Sequence, residues 1–480
     1  MVLLQRRNTT FAVVFDYSKY MEENFDIPWQ VTKYENFTNK RKAVYFDVDD
    51  FEEIIEYYLF KSLFQEAIDA VHYACKLHPS SVPLMLLQAQ LLANFNREAD
   101  ALSLLSKVES MEPNNNDIFL TKGAIYSQLQ DYNKAIEEYN KAVGSADDPD
   151  YVYCNIAIEY ENLGNFDKTL EYLDKALSLN PNNDLAIYEA AYCFDLLSLT
   201  EEGIAFFQKL IERNPYSTEA WFNLGVSFIN AGMYEKALEA FDYSLAINSE
   251  HDQSWFHKGY ALSLLERYRE AISAYEASIP EDDSDVMKLY YIGECYEKLD
   301  DYENAIRYYR KCSQLDPEMA DAWVGIGVCE LELGSASEAI KYFEHGLMLD
   351  NDNINYLCLL GNTYRLLNNK EAAKKSYEQA IEIDPSDEES WLEYAEALHN
   401  LGENADAIEL LSRGIEALPG LSSILYAMAA ILFLSGKPDE GSFCLEEAYA
   451  ANPENQDHII KRFPKLNENI DYTEAFDRIK

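Results

Sequence analysis

Positive charge is scarce in this sequence. Its 480 residues carry 39 Lys plus Arg against 85 Asp plus Glu, a formal net charge of −46. A surface of that sign repels phosphate backbones and anionic lipid headgroups, which argues against nucleic acid and membrane as partners. The acids are spread along the whole chain, so solubility is the first reading of the charge and steering of basic partners the second. Long apolar runs are lacking too, and with them any membrane span. Near the start, Arg6 and Arg7 precede an apolar patch, Phe11 to Phe15, that ends at Asp16. The patch is too short for a signal-peptide core, and no small-residue cleavage site follows. A cytoplasmic protein is the expectation. Residues 1–20 have no helical apolar period and are expected to be disordered. Met21 is an in-frame alternative start, and a chain beginning there is expected to keep its thermal stability.

Paired cysteines are also missing. The eight cysteines form no C-x-x-C pair and fall inside helical stretches, where cysteine serves as a small apolar residue. That suits a reducing compartment, with neither disulfides nor zinc. The seven histidines include no H-E-x-x-H and no i, i+4 pair, and no G-x-S-x-G, P-loop or dinucleotide fingerprint appears. The acidic turn Glu281, Asp282, Asp283 and Asp285 lacks the glycine and the terminal glutamate of a calcium loop. No catalytic residue, metal site or cofactor is therefore expected, and the chain reads as a non-enzyme.

What is present is a repeat. Pro79, Pro113, Pro181, Pro215, Pro317, Pro385, Pro419 and Pro453 are separated by multiples of 34 residues. The missing rungs are Asp147, Ser249, Asp283 and Asn351, which also suit turns. Twelve residues before the rungs runs a small column: Ala67, Ala101, Ala135, Ala237, Ala271, Ala305, Ala339, Ala373 and Ala407, with Gly203, Gly441 and Thr169. Twenty-four before come Gly123, Gly225, Gly259, Gly293, Gly327 and Gly361, with alanines elsewhere. Trp221, Trp255, Trp323 and Trp391 stand twenty-eight before their rungs. Small residues on two successive helices let them approach as an antiparallel pair. On this reading Gly225 packs against Ala237, Gly293 against Ala305 and Gly327 against Ala339. Asp117, Asp184, Thr218 with Glu219, Asp321 and Glu388 suit the N-caps of the first helices. A single pair cannot bury its apolar face, so the pairs must stack.

The Trp–Gly–Tyr–Ala–Phe–Ala–Pro pattern, clearest in Trp221 to Asn248, resembles the tetratricopeptide repeat, and the chain is similar to long bacterial proteins built of that repeat alone. The resemblance implies an all-α fold: an α-solenoid, a right-handed superhelix of twelve tandem 34-residue helix-turn-helix repeats over residues 48–455. It places first helices on the concave face and second helices outside. The RNA-binding pentatricopeptide cousin has a longer period and is usually basic, which does not fit. Some relatives clamp a chaperone's C-terminal carboxylates with Lys, Asn and Arg. Here those positions hold Glu219, Phe222, Asn223 and Val226, then Gln253, Phe256, His257 and Tyr260, so only Asn223 matches and that ligand is not expected.

Residues 1–47 form an N-terminal extension in which Pro28, Trp29, Tyr34, Phe37, Tyr45 and Phe46 are apolar enough to dock on the first repeat. Residues 456–480 read as a C-terminal cap. Asn39 to Lys42 is a small basic cluster, read as a solvated loop. Aromatic residues recur at matching first-helix positions around repeats five to eight. Tyr188, Tyr192, Phe222, Asn223, Phe256, Tyr260, Tyr290 and Glu294 are therefore the candidate partner-binding residues, unless the rings pack between helices instead. The expected function is a scaffold or adaptor holding a protein or peptide, neutral to basic with apolar anchors, in the concave groove. A regulatory or substrate-recruiting subunit of an enzyme on another chain, and a peptide-sensing regulator, are the alternatives.

Overall fold

The computed structural model describes residues 27–40, 44–278 and 285–479. The expectations for residues 1–20 and Met21, and most of the acidic turn at 281–285, lie outside them, as does part of the basic cluster. Among the described residues all regular structure is helical. The chain divides into two compact units, Met1–Asn248 and Ser249–Lys480.

In the first unit, α1 (Trp29–Lys40) precedes helix pairs. The first helices are α2 (Val48–Phe60), α4 (Val82–Asn94), α6 (Asn116–Gln128), α8 (Pro149–Asn162), α10 (Asp184–Leu196) and α12 (Thr218–Asn230). Each is followed by its second helix: α3 (Phe64–Leu77), α5 (Glu98–Met111), α7 (Tyr132–Ala142), α9 (Phe166–Leu179), α11 (Thr200–Arg213) and α13 (Tyr234–Ile247). The second unit repeats the plan. Its first helices are α14 (Asp252–Leu264), α16 (Val286–Lys298), α18 (Ala320–Glu332), α20 (Ile354–Leu366), α22 (Glu388–Asn400) and α24 (Ser422–Leu434). Their partners are α15 (Tyr268–Ser278), α17 (Tyr302–Leu315), α19 (Ala336–Leu349), α21 (Lys370–Ile383), α23 (Asn404–Ala417) and α25 (Pro438–Ala451). The chain then runs through α26 (Gln456–Arg462), a 3-10 turn at Pro464–Glu468 and α27 (Ile470–Ile479).

The small column on the second helices is the innermost part of each pair, and Ala67, Ala101, Ala135, Ala237, Ala271, Ala305, Ala339 and Ala407 are wholly buried. The glycine column makes a contact that the sequence reading did not name. A Cβ built on Gly225 would lie 2.5 Å from Phe241 Cε1, one on Gly293 2.7 Å from Tyr309 Cε1 and one on Gly327 2.6 Å from Phe343 Cε1. Glycine therefore makes room for the aromatic ring one helical turn beyond the alanine, and that ring is its nearest neighbour. Gly123 and Tyr139, Gly259 and Tyr275, and Gly361 and Tyr377 repeat the arrangement. These rings are among the largest fully buried side chains, so each of these six pairs is closed by one aromatic plate laid across a glycine.

Every pair turns at a residue of positive φ, and these recur at a step of 34: Ser62, Asn96, Gln130, Gly164, Ser198, Gly232, Glu266, Asp300, Gly334, Asn368, Gly402 and Gly436. Glycine occupies five of these sites and polar residues the remainder, which is tolerable because a single residue in the left-handed region costs only about 1–2 kcal/mol.

The helix caps fall earlier than expected. Asn115, Asn183, Ser217 and Asp387 accept from the first-turn amides, whereas Asp117, Asp184, Thr218 with Glu219, and Glu388 already stand inside the first turn. Asp321 is likewise inside α18, whose N-cap Met319 makes no side-chain bond. The tryptophans also have a second task. The indole N–H of Trp221, Trp323 and Trp391 donates to the carbonyl of Pro215, Pro317 and Pro385, at 2.9, 3.0 and 3.0 Å, and Trp255 does the same to Ser249. Each indole thus pins the rung to the helix that follows it.

At the N-terminal end, α1 packs on the first pair through Val31 and Tyr34, joined by Phe46 from the segment after it, with Phe37 partly buried beside them. Trp29 and Tyr45 do not dock; they are 62% and 75% exposed. At the C-terminal end, Ile459, Phe463, Leu466 and Tyr472 join the core of the last pairs.

Candidate functional site

An open cleft in the first unit follows its first helices. A cleft of about 850 Å³ is walled by α2, α4, α6 and α8 and reaches the start of α10. Leu86, Leu87, Leu120 and Tyr151 give it an apolar floor, and Glu52, Glu56, Asp117, Asp147, Asp150 and Asp184 edge it with acid. The carboxylate of Asp150 is held in place by amide N–H donors from Asn180 and Asn183, each at 2.9 Å. Although burial opposes ionisation, these hydrogen bonds leave the Asp150 carboxyl below the usual carboxylate range. This cleft lies mostly N-terminal to the residues singled out from sequence, because acids and leucines on an amphipathic helix carry no mark that distinguishes a cleft from a solvated face.

The sequence-selected residues divide between the units. In the first unit Tyr188 is 48% exposed and Tyr192 is half-buried, both on α10. Phe222 corrects the expectation of an exposed ledge: it is 8% exposed and packs against Phe241, ring centres 6.1 Å apart. That ring is the plate lying on Gly225, which draws Phe222 into the pair. Asn223 is half-buried and donates to its own helix at the Glu219 carbonyl, at 2.8 Å, while lining a smaller cleft of about 380 Å³ with Phe194, Phe207 and Asn230.

In the second unit Phe256, Tyr260, Tyr290 and Glu294 are brought together by a residue that sequence reasoning passed over. Tyr291 has its ring centre 5.6 Å from Phe256, 6.0 Å from Tyr260 and 5.8 Å from Tyr290, and it stacks on the buried Tyr275 at 5.7 Å. All four selected residues are half-buried, so the rings both pack between first helices and present an edge. The Tyr290 hydroxyl donates to Glu294 Oε1 at 3.2 Å. Burial raises the Glu294 carboxyl above its ordinary value, partly offset by that hydrogen bond. Adjacent to Tyr290 in sequence, Tyr291 was off the 34-residue column that guided the selection.

A cleft in this unit, about 760 Å³, is lined by Glu388, Glu389, Leu392, Glu393 and Glu396 of α22 on one side and by Lys461 and Arg462 on the other, with Arg365 of α20 also in its lining. Among the described residues no cluster of three or more His, Cys, Asp or Glu could hold a metal ion, and no helix is long and apolar enough to cross a membrane. All eight cysteines are free thiols.

Family models described as tetratricopeptide repeat match residues 117–149 and 354–387, 151–183, 206–239 and 376–409, 256–314, and 298–362. Together they span more than half of the chain. No curated protein sequence matches significantly. Among solved structures, YrrB, described as a TPR protein with an unusual peptide-binding site, is 24% identical over 40% of this chain and 96% of its own, with a TM-score of 0.33. The hetero-tetramer Cut9–Hcn1 of APC/C aligns at 15% identity over 94% of this chain and 98% of its own, TM-score 0.38. Yeast Tom70 aligns at 12% identity over 88% and 96%, TM-score 0.43. With glycine–ring pairs and left-handed turns recurring at a step of 34 and repeat models matching more than half of its length, the chain belongs to the tetratricopeptide repeat family.

Proposed function

We propose that this chain is a non-enzymatic scaffold or adaptor that holds a protein or peptide segment on the face lined by its first helices. Membership of the repeat family supports protein interaction in general. The observation that carries the finer reading is the cleft over α2 to α8, with its leucine and tyrosine floor and acidic edge. An apolar floor rewards anchoring side chains, and carboxylates at the rim favour Lys or Arg on the partner. The segment is therefore neutral to basic with apolar anchors. Tyr188 and Tyr192 extend the same kind of surface along the first unit, and Phe256, Tyr260, Tyr290 and Glu294 form a separate aromatic patch in the second. No cofactor or metal has a role in this reading, and eight free thiols suit a reducing compartment such as the cytoplasm.

The test begins with affinity purification and mass spectrometry, followed by titration of the recovered partner. Tyr151→Ala and Tyr188→Ala should each weaken binding by about 1 kcal/mol or more if the rings are anchors, and Asp117→Lys should do so with a reduced salt dependence. A partner indifferent to all three variants and to salt would place binding elsewhere.

A further inference from the structure

The end of the chain carries two helices with different tasks. Helix α27 closes the last pair: Tyr472 is 3% exposed and meets Phe433 edge-on at 5.5 Å. That is all a terminal cap has to do. Helix α26 does more. From its last residue the Arg462 guanidinium reaches back past α24 and α25 to α22, where it pairs with Glu389 and lies 3.4 Å from Glu396 Oε2. The next residue, Phe463, is 3% exposed and meets His399 edge-on at 5.7 Å, and Ile459 is equally buried. A basic residue followed by an aromatic anchor is thus already seated on an acidic first-helix face, and the open cleft beside it continues along Glu388 and Glu393.

We propose that the acidic face of α22 is a docking surface for a partner's basic segment carrying an adjacent aromatic anchor, and that the chain's own Lys461–Phe463 occupies this surface in cis as a displaceable strap. The occupant is defined by two features: charge complementarity between Arg462 and the paired glutamates, and burial of Phe463 beside them. Burial raises the Glu393 carboxyl, a nearby Glu389 charge adds to this, and Arg462 opposes it, so the strap relieves repulsion among the four glutamates that α22 turns to the cleft, whose lining also includes Arg365 of α20. Only the identity of the displacing segment rests on the scaffold reading above. The strap itself can be tested with a piece of this chain.

The probe is a fluorescein-labelled peptide with the sequence of Gln456–Glu468, titrated into the full chain against a scrambled peptide of equal charge. The parent chain should bind it weakly because the surface is filled. Arg462→Glu, which sets like charges against Glu389 and Glu396, should bind it at least about tenfold more tightly. Adding Glu389→Gln and Glu396→Gln to that variant should abolish the gain. Equal affinity of parent and Arg462→Glu, or a gain shared by the scrambled peptide, overturns the proposal. Hydrogen exchange on the parent chain guards against a variant that fails to fold. Amides of α26 should exchange at least about tenfold faster than those of α24, as a strap opens without the core. Protection of α26 equal to that of α24 would make it a fixed cap and refute displacement. Either result leaves binding at the α2–α8 cleft an independent question.

Discussion

Glu159 on α8 is 2% exposed, and its Oε2 accepts no hydrogen bond. Burial pushes its carboxyl from the ordinary 4.5 up to about 7, against hydrogen bonds from Ser127 and Asn162 that favour the charged form. Between those two values the folded chain keeps a proton that the unfolded chain has released. Stability from this residue is therefore full below the lower value and lost as pH rises through the upper one. Glu159→Gln should remove the loss, raising stability by about 1–3 kcal/mol near pH 8 and by little near pH 5. Thermal melts at both pH values check it, and parallel pH profiles for parent and variant would count against it. Gly327 makes the opposite case, where adding atoms is what hurts. With Phe343 Cε1 at 2.6 Å and Tyr342 Cβ at 3.1 Å from its absent Cβ, Gly327→Leu should destabilise by roughly 1–3 kcal/mol or more. Because the obstacle is the ring, Phe343→Leu should recover part of the loss in the double variant. Simple additivity in chemical denaturation would show that the two do not touch.

At the scale of the helix pair, the turn is the element that repeats most faithfully. Gly334 has φ +83° with open space where a Cβ would go, so a substitution there tests backbone conformation with little steric interference. Gly334→Val should cost about 1–2 kcal/mol, since a β-branched residue is ill suited to the left-handed region. Glu266 holds the equivalent position at φ +60°. Glu266→Gly relieves that strain while loosening the unfolded chain, and should fall between neutral and about 1 kcal/mol stabilising. Guanidinium melts of both variants would settle the pair, and a strongly destabilising Glu266→Gly would mean that its side chain matters more than its φ. The Trp–rung hydrogen bonds belong to the same scale: in the four repeats that have them they connect the first helix to the turn before it, independently of the pair's own contacts.

Across the whole molecule, the thiols report on how completely the cores are closed. Seven of the eight are buried and Cys75 is partly so. Burial pushes Cys154, Cys295, Cys329 and Cys358 up to about 12, and Cys75 to about 11. The native chain at about pH 8 should react only slowly with an aromatic disulfide reagent, Cys75 first, and all eight should react once denatured. Rapid native reaction of several thiols would reveal open pairs.

The period of 34, the all-helical class and the small columns were legible in the chain alone, because every pair meets the same packing problem and solves it with residues of the same size. What the columns could not say is which neighbour each residue meets. Gly225 and Ala237 are both small, yet the space at Gly225 is taken by Phe241, since side-chain direction on facing helices decides contact. Phe222 and Tyr188 occupy equivalent positions, but one is buried against a ring and the other exposed, a difference made by local neighbours. Arg462 and Glu389 are 73 residues apart and share no column, so their pairing arises only when α26 folds back over the first helices. Periodicity determined what every repeat must do; tertiary packing decided where the repeats differ, and the clefts and the strap arise from those differences.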